Sequence, residues 1–350
     1  MAGARARSCS VPTIAGLTGA IAAAPCRVDT GAAGRRKQML RDVKADGGVS
    51  PQRKEASPLP GTIRGPDFMC IGAQKAGTQW LFDQLSLHPD FWMPPMKELK
   101  YFNFSKPRRQ VARKMLKAAE TDLERYNARR HRDFRRPLVA EDLTFLSDFI
   151  ALDRTEIDPE GYTALFDRKG ALLSGDITPA YSALKPPMVD RVAREFGNAK
   201  YVFIARDPVK RFWSQVRMHV FKKRLTEDLD EKAIVKLLSQ RRYDARSFST
   251  QIVATWQSRL PAGQFRLFFF DDLVGDAANF RREIIAFLGG DPDKPTARIA
   301  PDFNRKSGKS SAPMPDRARD LIAERMAGEL RACAKQLGGA AEKWPGLYGL

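Results

Sequence analysis

The chain has 350 residues and little of what several protein classes depend on. Its four cysteines are Cys9, Cys26, Cys70 and Cys333, and none form a CxxC pair. Neither a zinc knuckle nor a disulfide framework is indicated. The three histidines, His88, His131 and His219, are too few and too scattered for a histidine-based metal centre, so no metal is expected. No stretch reaches the length and apolarity of a membrane span. What the chain does have is 43% hydrophobic residues, enough to bury the core of one large α/β domain or two small ones.

Acidic residues are in deficit. Sixty Lys and Arg face 41 Asp and Glu, for a formal charge of +19. An anionic ligand or partner follows from that balance, but charge alone does not separate nucleic acid from a phosphorylated nucleotide or an acidic glycan. No recognition helix or aromatic RNA-binding motif accompanies the charge, so specific nucleic-acid binding is not expected. Residues 1–65 are poor in aromatics and rich in Gly, Ala, Arg and Pro, the composition of a disordered basic extension. Within it Arg5 and Arg7 precede the uncharged stretch from Ser8 to Cys26. A targeting segment, a plain extension and an early start codon all stay open there. Organised sequence begins near residue 66 and is assigned as one domain, 66–350.

In that domain, apolar runs alternate with helical periodicity. Phe68–Ile71 reads as a strand, followed by a glycine-containing loop and a helix bearing Trp80, Leu81, Leu85 and Leu87 that Pro89 stops. Residues 106–136 carry 12 Lys/Arg against 4 Asp/Glu and read as solvated helix. Ala171–Leu173 is a second strand candidate. A helix is expected over about 187–196, and Tyr201–Ala205 is a strand buried on both faces. Pro208 suits the first turn of the helix after it. Phe265–Phe270 is a fourth strand. A helix with Phe280, Ile284, Ile285 and Leu288 follows, closed by Gly289-Gly290. The order predicts an α/β fold: a three-layer, P-loop-like domain with a central parallel sheet flanked by helices, binding its ligand at the strands' carboxyl ends.

The chemistry concentrates in the loops at those ends. Gly72-Ala-Gln-Lys75-Ala76-Gly77-Thr78-Gln79-Trp80 follows a strand and opens a helix, where free amides and the helix dipole favour an anion. Gly72 and Gly77 keep the GxxxxG spacing of a nucleoside triphosphatase loop, but Thr78 and Gln79 stand where that loop has Lys and Ser or Thr. The lysine is displaced to position 75, which argues against an ATP-dependent small-molecule kinase, the alternative reading.

This loop resembles the 5′-phosphosulfate loop of sulfotransferases that use 3′-phosphoadenosine 5′-phosphosulfate (PAPS), with Lys75, Gly77, Thr78 and Leu81 on the pattern. Arg206-Asp-Pro208-Val-Lys-Arg211-Phe-Trp-Ser214 resembles that family's RxPxxRxxS segment. The resemblance implies that Lys75, Ala76, Gly77, Thr78, Gln79 and Trp80 hold the 5′ side of the nucleotide and that Arg206 and Ser214 grip the 3′-phosphate. It also implies that Arg305, Lys306, Ser307, Gly308 and Lys309 close over the nucleotide. Lys97-Glu98-Leu-Lys100-Tyr-Phe is similar to the KExxFF segment of heparan-type glycan sulfotransferases and their bacterial relatives, and Gly175-Asp176-Ile-Thr178-Pro-Ala-Tyr181 to their G-E-x-T/S-P-x-Y. From these, Lys75 is expected at the bridging oxygen and Glu98 as general base, with His219 as the rival base. Lys97 and Asp176 are expected near the acceptor, Asp176 holding either it or Lys75. The implied reaction moves a sulfuryl group from PAPS to a hydroxyl or amine, the acceptor being a carbohydrate by preference, and without a metal; the lack of a clear membrane anchor and of paired cysteines favours the cytoplasm.

Overall fold

The computed structural model describes residues 65–132, 134–152, 155–223, 232, 235, 246–296, 298–303 and 313–350, with side chains described up to residue 218 in the segment 208–223. All of them fall in the compact unit Leu59–Leu350. Four strands, β1 Phe68–Gly72, β2 Gly175–Ile177, β3 Lys200–Ala205 and β4 Phe265–Phe269, form one sheet in the order β2-β1-β3-β4. Every pairing is parallel. All four carboxyl ends therefore open on one edge. Strands β1 and β3 are buried along nearly their whole length, as unbroken apolar runs at the centre of a parallel sheet must be.

Helices flank the sheet. Helix α1 is Thr78–Ser86, α2 Lys106–Thr121, α3 Leu123–Arg130, α4 Ala140–Ala151 and α5 Pro159–Ala164. Helix α6 is Pro186–Glu195, α7 Pro208–Lys223 and α8 Ser249–Gln257. Helix α9 is Phe270–Gly275, α10 Ala277–Leu288 and α11 Asp316–Leu337. The predicted stops hold. Pro208 opens α7, and α10 runs from an Asp276 cap, which accepts the Asn279 amide, to Gly289 in the left-handed conformation at φ 99°. The basic stretch 106–136 forms α2 and α3, which bury little beyond Ala112 and Ala119.

One strand lies elsewhere than the sequence predicts. Ala171–Leu173 is not in the sheet; Leu173 makes only an isolated bridge to Phe91, and β2 begins at Gly175. The reason is steric. Gly175 pairs with Phe68, and a Cβ there would sit 2.5 Å from the Phe68 carbonyl oxygen. The close approach of β2 to β1 selects a glycine, which carries no apolar signal.

Among the described residues no helix is long and apolar enough to cross a membrane.

Candidate active site

The β1–α1 loop is the floor of the site. Its path requires left-handed backbone at Lys75, φ 77°, and at Gly77, φ 82°. Gly77 caps α1, and a Cβ on it would lie 2.7 Å from Leu273 Cδ2 on α9. Only glycine meets both demands. The amides of the first turn of α1 are left without intrahelical partners by helix geometry and point toward the loop side. Thr78 is buried. Its hydroxyl accepts from Lys97 Nζ at 3.2 Å.

The β3–α7 loop stands beside this floor. Arg206 Nη1 donates to the Lys75 carbonyl at 2.5 Å, and its guanidinium lies 4.4 Å over the Phe270 ring. Two further arginines join it. Arg211 is fully buried, bonded to Gln215 Oε1 at 2.8 Å and to the Ser247 hydroxyl at 2.5 Å. Arg246 donates to Gln74 Oε1 in the loop at 3.1 Å. Burial lowers the pKa of Arg211, and Arg246 and Arg206 lower it further, to about 9. Arg206 and Arg211 each keep a buried Nε with no hydrogen-bond partner among the described residues. Asp207, next in the chain, spends its oxygens on the Val209 and Lys210 amides and the Tyr348 hydroxyl. A cationic cluster with unused donors beside a glycine-capped loop suits a phosphorylated ligand.

Glu98 faces the loop from the segment after Met96. It lies in left-handed backbone, φ 62°, as does Lys100, φ 54°. Lys97 Nζ is 3.4 Å from its Oε1 and Lys100 Nζ 3.1 Å from its Oε2. Thr78, Lys97, Glu98 and Lys100 thus form one continuous polar chain. Burial pushes the Glu98 carboxyl up, but Lys97, Lys100 and Arg108 outweigh it and hold the group below the usual glutamate value. Lys97 is itself almost fully buried, and burial lowers its pKa against the pull of Glu98.

Other residues named from the sequence occupy varied settings. Ala76 is buried. Gln79 is exposed and donates to Asp83 Oδ1 at 3.0 Å. Trp80 is 9% exposed, edge-on to Phe280 at 5.4 Å, and donates to the Pro301 carbonyl at 2.6 Å. Ser214 lies half-buried on α7, two turns beyond Arg206. Asp176 is fully buried, and its hydrogen bonds run to Leu99, Thr178, Tyr162 and Tyr181. Arg305, Lys306, Ser307, Gly308, Lys309 and the side chain of His219 lie outside the described residues. His88 is buried behind α1. It accepts the Asp90 amide on Nδ1, so its Nε2 carries the proton toward the Asp291 carbonyl. Among the described residues no cluster of His, Cys, Asp or Glu could hold a metal ion.

Sequence reasoning singled out neither Arg246 nor Arg108. Arg108 donates from Nε to the Glu98 carbonyl at 2.6 Å and from Nη2 to the Lys97 carbonyl. Both are unremarkable basic residues in basic stretches. Arg211 was visible inside the RxPxxRxxS segment, but its burial was not.

A parallel sheet with a glycine-capped loop and a facing arginine cluster at its carboxyl edge makes an α/β fold whose site is built for an anionic ligand. Residues 66–293 match the sequence profile of the Sulfotransferase family, about two thirds of the chain. The protein belongs to that family and is an enzyme with sulfotransferase activity. The fold agrees. A sulfotransferase from Alicyclobacillus acidocaldarius superposes with a TM-score of 0.53 at 21% identity, over 81% of this chain and 99% of that one. A sulfotransferase domain from the Synechococcus PCC 7002 olefin synthase gives 0.45 at 17% identity, over 77% and 98%. The sulfotransferase domain of the curacin biosynthetic pathway gives 0.43 at 17%, over 77% and 99%. No curated protein sequence matches the chain.

Proposed function

We propose that the protein transfers a sulfuryl group from PAPS to a hydroxyl or amine of a carbohydrate acceptor by in-line displacement, with Glu98 as general base. The observation that carries this reading is the contact of Arg206 with the Lys75 carbonyl, which joins the two loops that a single doubly phosphorylated nucleotide would have to span. The Nε atoms of Arg206 and Arg211, without a partner among the described residues, and the glycine at position 77 are the residues' side of the same fit. PAPS, when bound, supplies the sulfuryl group on a phosphosulfate anhydride whose leaving group is adenosine 3′,5′-bisphosphate.

The chain's own residues then divide the work. Lys75 and the first-turn amides of α1 hold and neutralise the 5′-phosphate side, where charge grows as the anhydride opens. Arg206 and Ser214 hold the 3′-phosphate. Lys97, between Thr78 and Glu98, keeps the carboxylate ionised and aimed. Glu98 takes the acceptor proton. A depressed pKa makes it a weak base but an ionised one at neutral pH, which suits a reaction where positioning and electrostatics dominate. The carbohydrate assignment rests on the likeness of residues 97–102 and 175–181 to the glycan-type segments. The catalytic domain in this reading is 66–350.

The test is transfer of labelled sulfate from PAPS to a panel of glycan, lipid and phenolic acceptors, together with thermal shifts by adenosine 3′,5′-bisphosphate and by ATP with Mg²⁺. Transfer to glycans, its loss in Lys75→Ala and a larger shift by the bisphosphate are expected. Normal turnover by Lys75→Ala, or a preference for ATP, overturns the proposal.

A further inference from the structure

Glu98 sits in a backbone conformation that a glutamate does not choose for itself, so something must hold it there. The holding groups lie in β2 and the turn after it, more than 75 residues away in sequence. Asp176 Oδ1 accepts the Leu99 amide at 3.4 Å. The same oxygen accepts the Thr178 hydroxyl at 2.7 Å, and that hydroxyl accepts the Lys100 amide at 3.2 Å. Asp176 Oδ2 accepts the Tyr181 hydroxyl at 2.6 Å, and that hydroxyl accepts the Tyr101 amide at 3.0 Å. Tyr162 adds a fourth donor, to Oδ2 at 3.1 Å. Three consecutive amides, 99, 100 and 101, are therefore tied to one carboxylate, the first directly and the others through a hydroxyl each.

The direction of the protons fixes the role. Because Thr178 and Tyr181 each receive an amide hydrogen, their own hydrogens are free to point at Asp176. Four donors then converge on its two oxygens. Burial pushes the Asp176 pKa up, but the four donors oppose it and occupy its acceptor positions, which favours the ionised carboxylate at neutral pH. Its surroundings are otherwise dry: Asp176, Thr178, Tyr162 and Tyr181 are all buried. On the other side of the segment, Arg108 holds the Lys97 and Glu98 carbonyls.

We propose that Asp176 is a positioning residue, which through Thr178 and Tyr181 locks the 98–101 backbone and so fixes where the Glu98 carboxylate stands. Asp176 on this account touches neither the acceptor nor Lys75. The role rests on the reading of Glu98 as base, and its charge acts through geometry. The charged groups that face Glu98 itself are Lys97, Lys100, Arg108 and, at longer range, Arg246.

The full-length protein carries the test in four variants: Asp176→Asn, Thr178→Ala, Thr178→Ser and Glu98→Gln. Asparagine at 176 would turn an NH2 toward groups that already donate. Thr178→Ala breaks one relay with little packing loss, and Thr178→Ser restores the hydroxyl. Amide hydrogen exchange of a peptide spanning 97–102 reads the lock without any acceptor. Turnover of labelled PAPS with the best glycan of the panel above, kcat and KM separately, reads its consequence, and calorimetry with adenosine 3′,5′-bisphosphate reads the nucleotide site. Expected are faster exchange in 97–102 and a kcat lower by about ten- to a hundredfold in Thr178→Ala and Asp176→Asn, bisphosphate affinity within about twofold of wild type, and recovery in Thr178→Ser. Unchanged exchange, or faster exchange with unchanged kcat, overturns the positioning role. So does failure of Thr178→Ser to recover. If Asp176→Asn does not fold, the Thr178 pair decides alone. Wild-type turnover by Glu98→Gln marks the base assignment as the failure, while the exchange data judge the lock separately.

Discussion

Replacing Glu98 by glutamine removes a proton acceptor and keeps its shape. The side chain is part-exposed at 31%, with Lys97 and Lys100 at 3.4 and 3.1 Å, so the amide can still occupy the same space between them. Loss of a positioned general base costs about 10²- to 10⁴-fold in kcat, equivalent to roughly 3–5 kcal/mol of barrier. Binding of adenosine 3′,5′-bisphosphate, whose proposed ligands are on other loops, should be unchanged. The pH profile sharpens the test. Burial raises the Glu98 pKa, the cations Lys97, Lys100 and Arg108 lower it by more, and the net value is below the ordinary 4.5. A base acts in its ionised form, so its acid limb must fall below pH 4.5, and activity should be flat from there to neutrality. Steady-state kcat/KM against pH, which reports the free enzyme's groups, measured over the range in which the fold persists, reads this. A limb near the ordinary histidine pKa of about 6.5 would transfer the role to His219. So would a Glu98→Gln enzyme with wild-type kcat. The same shift acts on stability with the same sign. A carboxylate whose folded pKa is depressed stabilises the fold above its unfolded pKa, and that contribution is lost as pH falls through the folded value.

Gly77→Ala should damage the loop twice, since φ 82° is strained for alanine and its Cβ would meet Leu273 at 2.7 Å. A loss of about 2–4 kcal/mol by chemical denaturation, with weaker bisphosphate binding, is expected, and wild-type stability would contradict the close approach. Arg136→Met should destabilise without touching the chemistry. Asp142, 0% exposed, pairs with both Nη atoms of Arg136 at 2.6 and 2.7 Å. Removing the guanidinium leaves the buried carboxylate with only the Val139 amide, which it accepts at 3.0 Å, at a cost of about 3 kcal/mol, the lower end for buried pairs because that amide stays and Arg136 keeps some water contact. A denaturation midpoint within error of wild type would contradict the claim that the guanidinium is what compensates the buried charge of Asp142. Bisphosphate affinity should not change in that variant.

What could be seen in the sequence and what could not divides along physical lines. Strands β1 and β3 were legible because a strand buried on both faces must be apolar throughout, and Phe68–Ile71 and Tyr201–Ala205 are. The meeting of Lys75 with Arg206 follows from those two assignments. Both residues sit just past strands that are neighbours in a parallel sheet, so their loops open on the same edge. Strand β2 was misplaced by a few residues because its decisive residue, Gly175, is chosen for the volume it lacks. Burial of Arg211 and the place of Arg246 were illegible for another reason: a guanidinium is read from sequence as solvent-facing charge, and only the fold reveals one enclosed among other cations.

The Glu98 segment is the instructive case. Its motif, Lys97-Glu98-Leu-Lys100, marks chemistry but gives no hint that Glu98 and Lys100 both adopt left-handed backbone. No local pattern could, because neither residue type favours it. The conformation is imposed from outside, by Arg108 ten residues ahead and by Asp176, Thr178 and Tyr181 some 77 to 80 residues ahead of the amides they hold. The second motif, Gly175 to Tyr181, was legible as a likeness to the glycan-type G-E-x-T/S-P-x-Y segment after a strand, and a polar residue at a strand's carboxyl end suggests a ligand contact, so Asp176 was expected to hold the acceptor or Lys75. Once Asp176 is seen buried with four donors, the two segments cease to be separate sites. One supplies the proposed base and the other supplies the backbone geometry that the base requires, so a substitution in either should appear in the same kinetic constant, kcat, and leave the nucleotide's affinity alone.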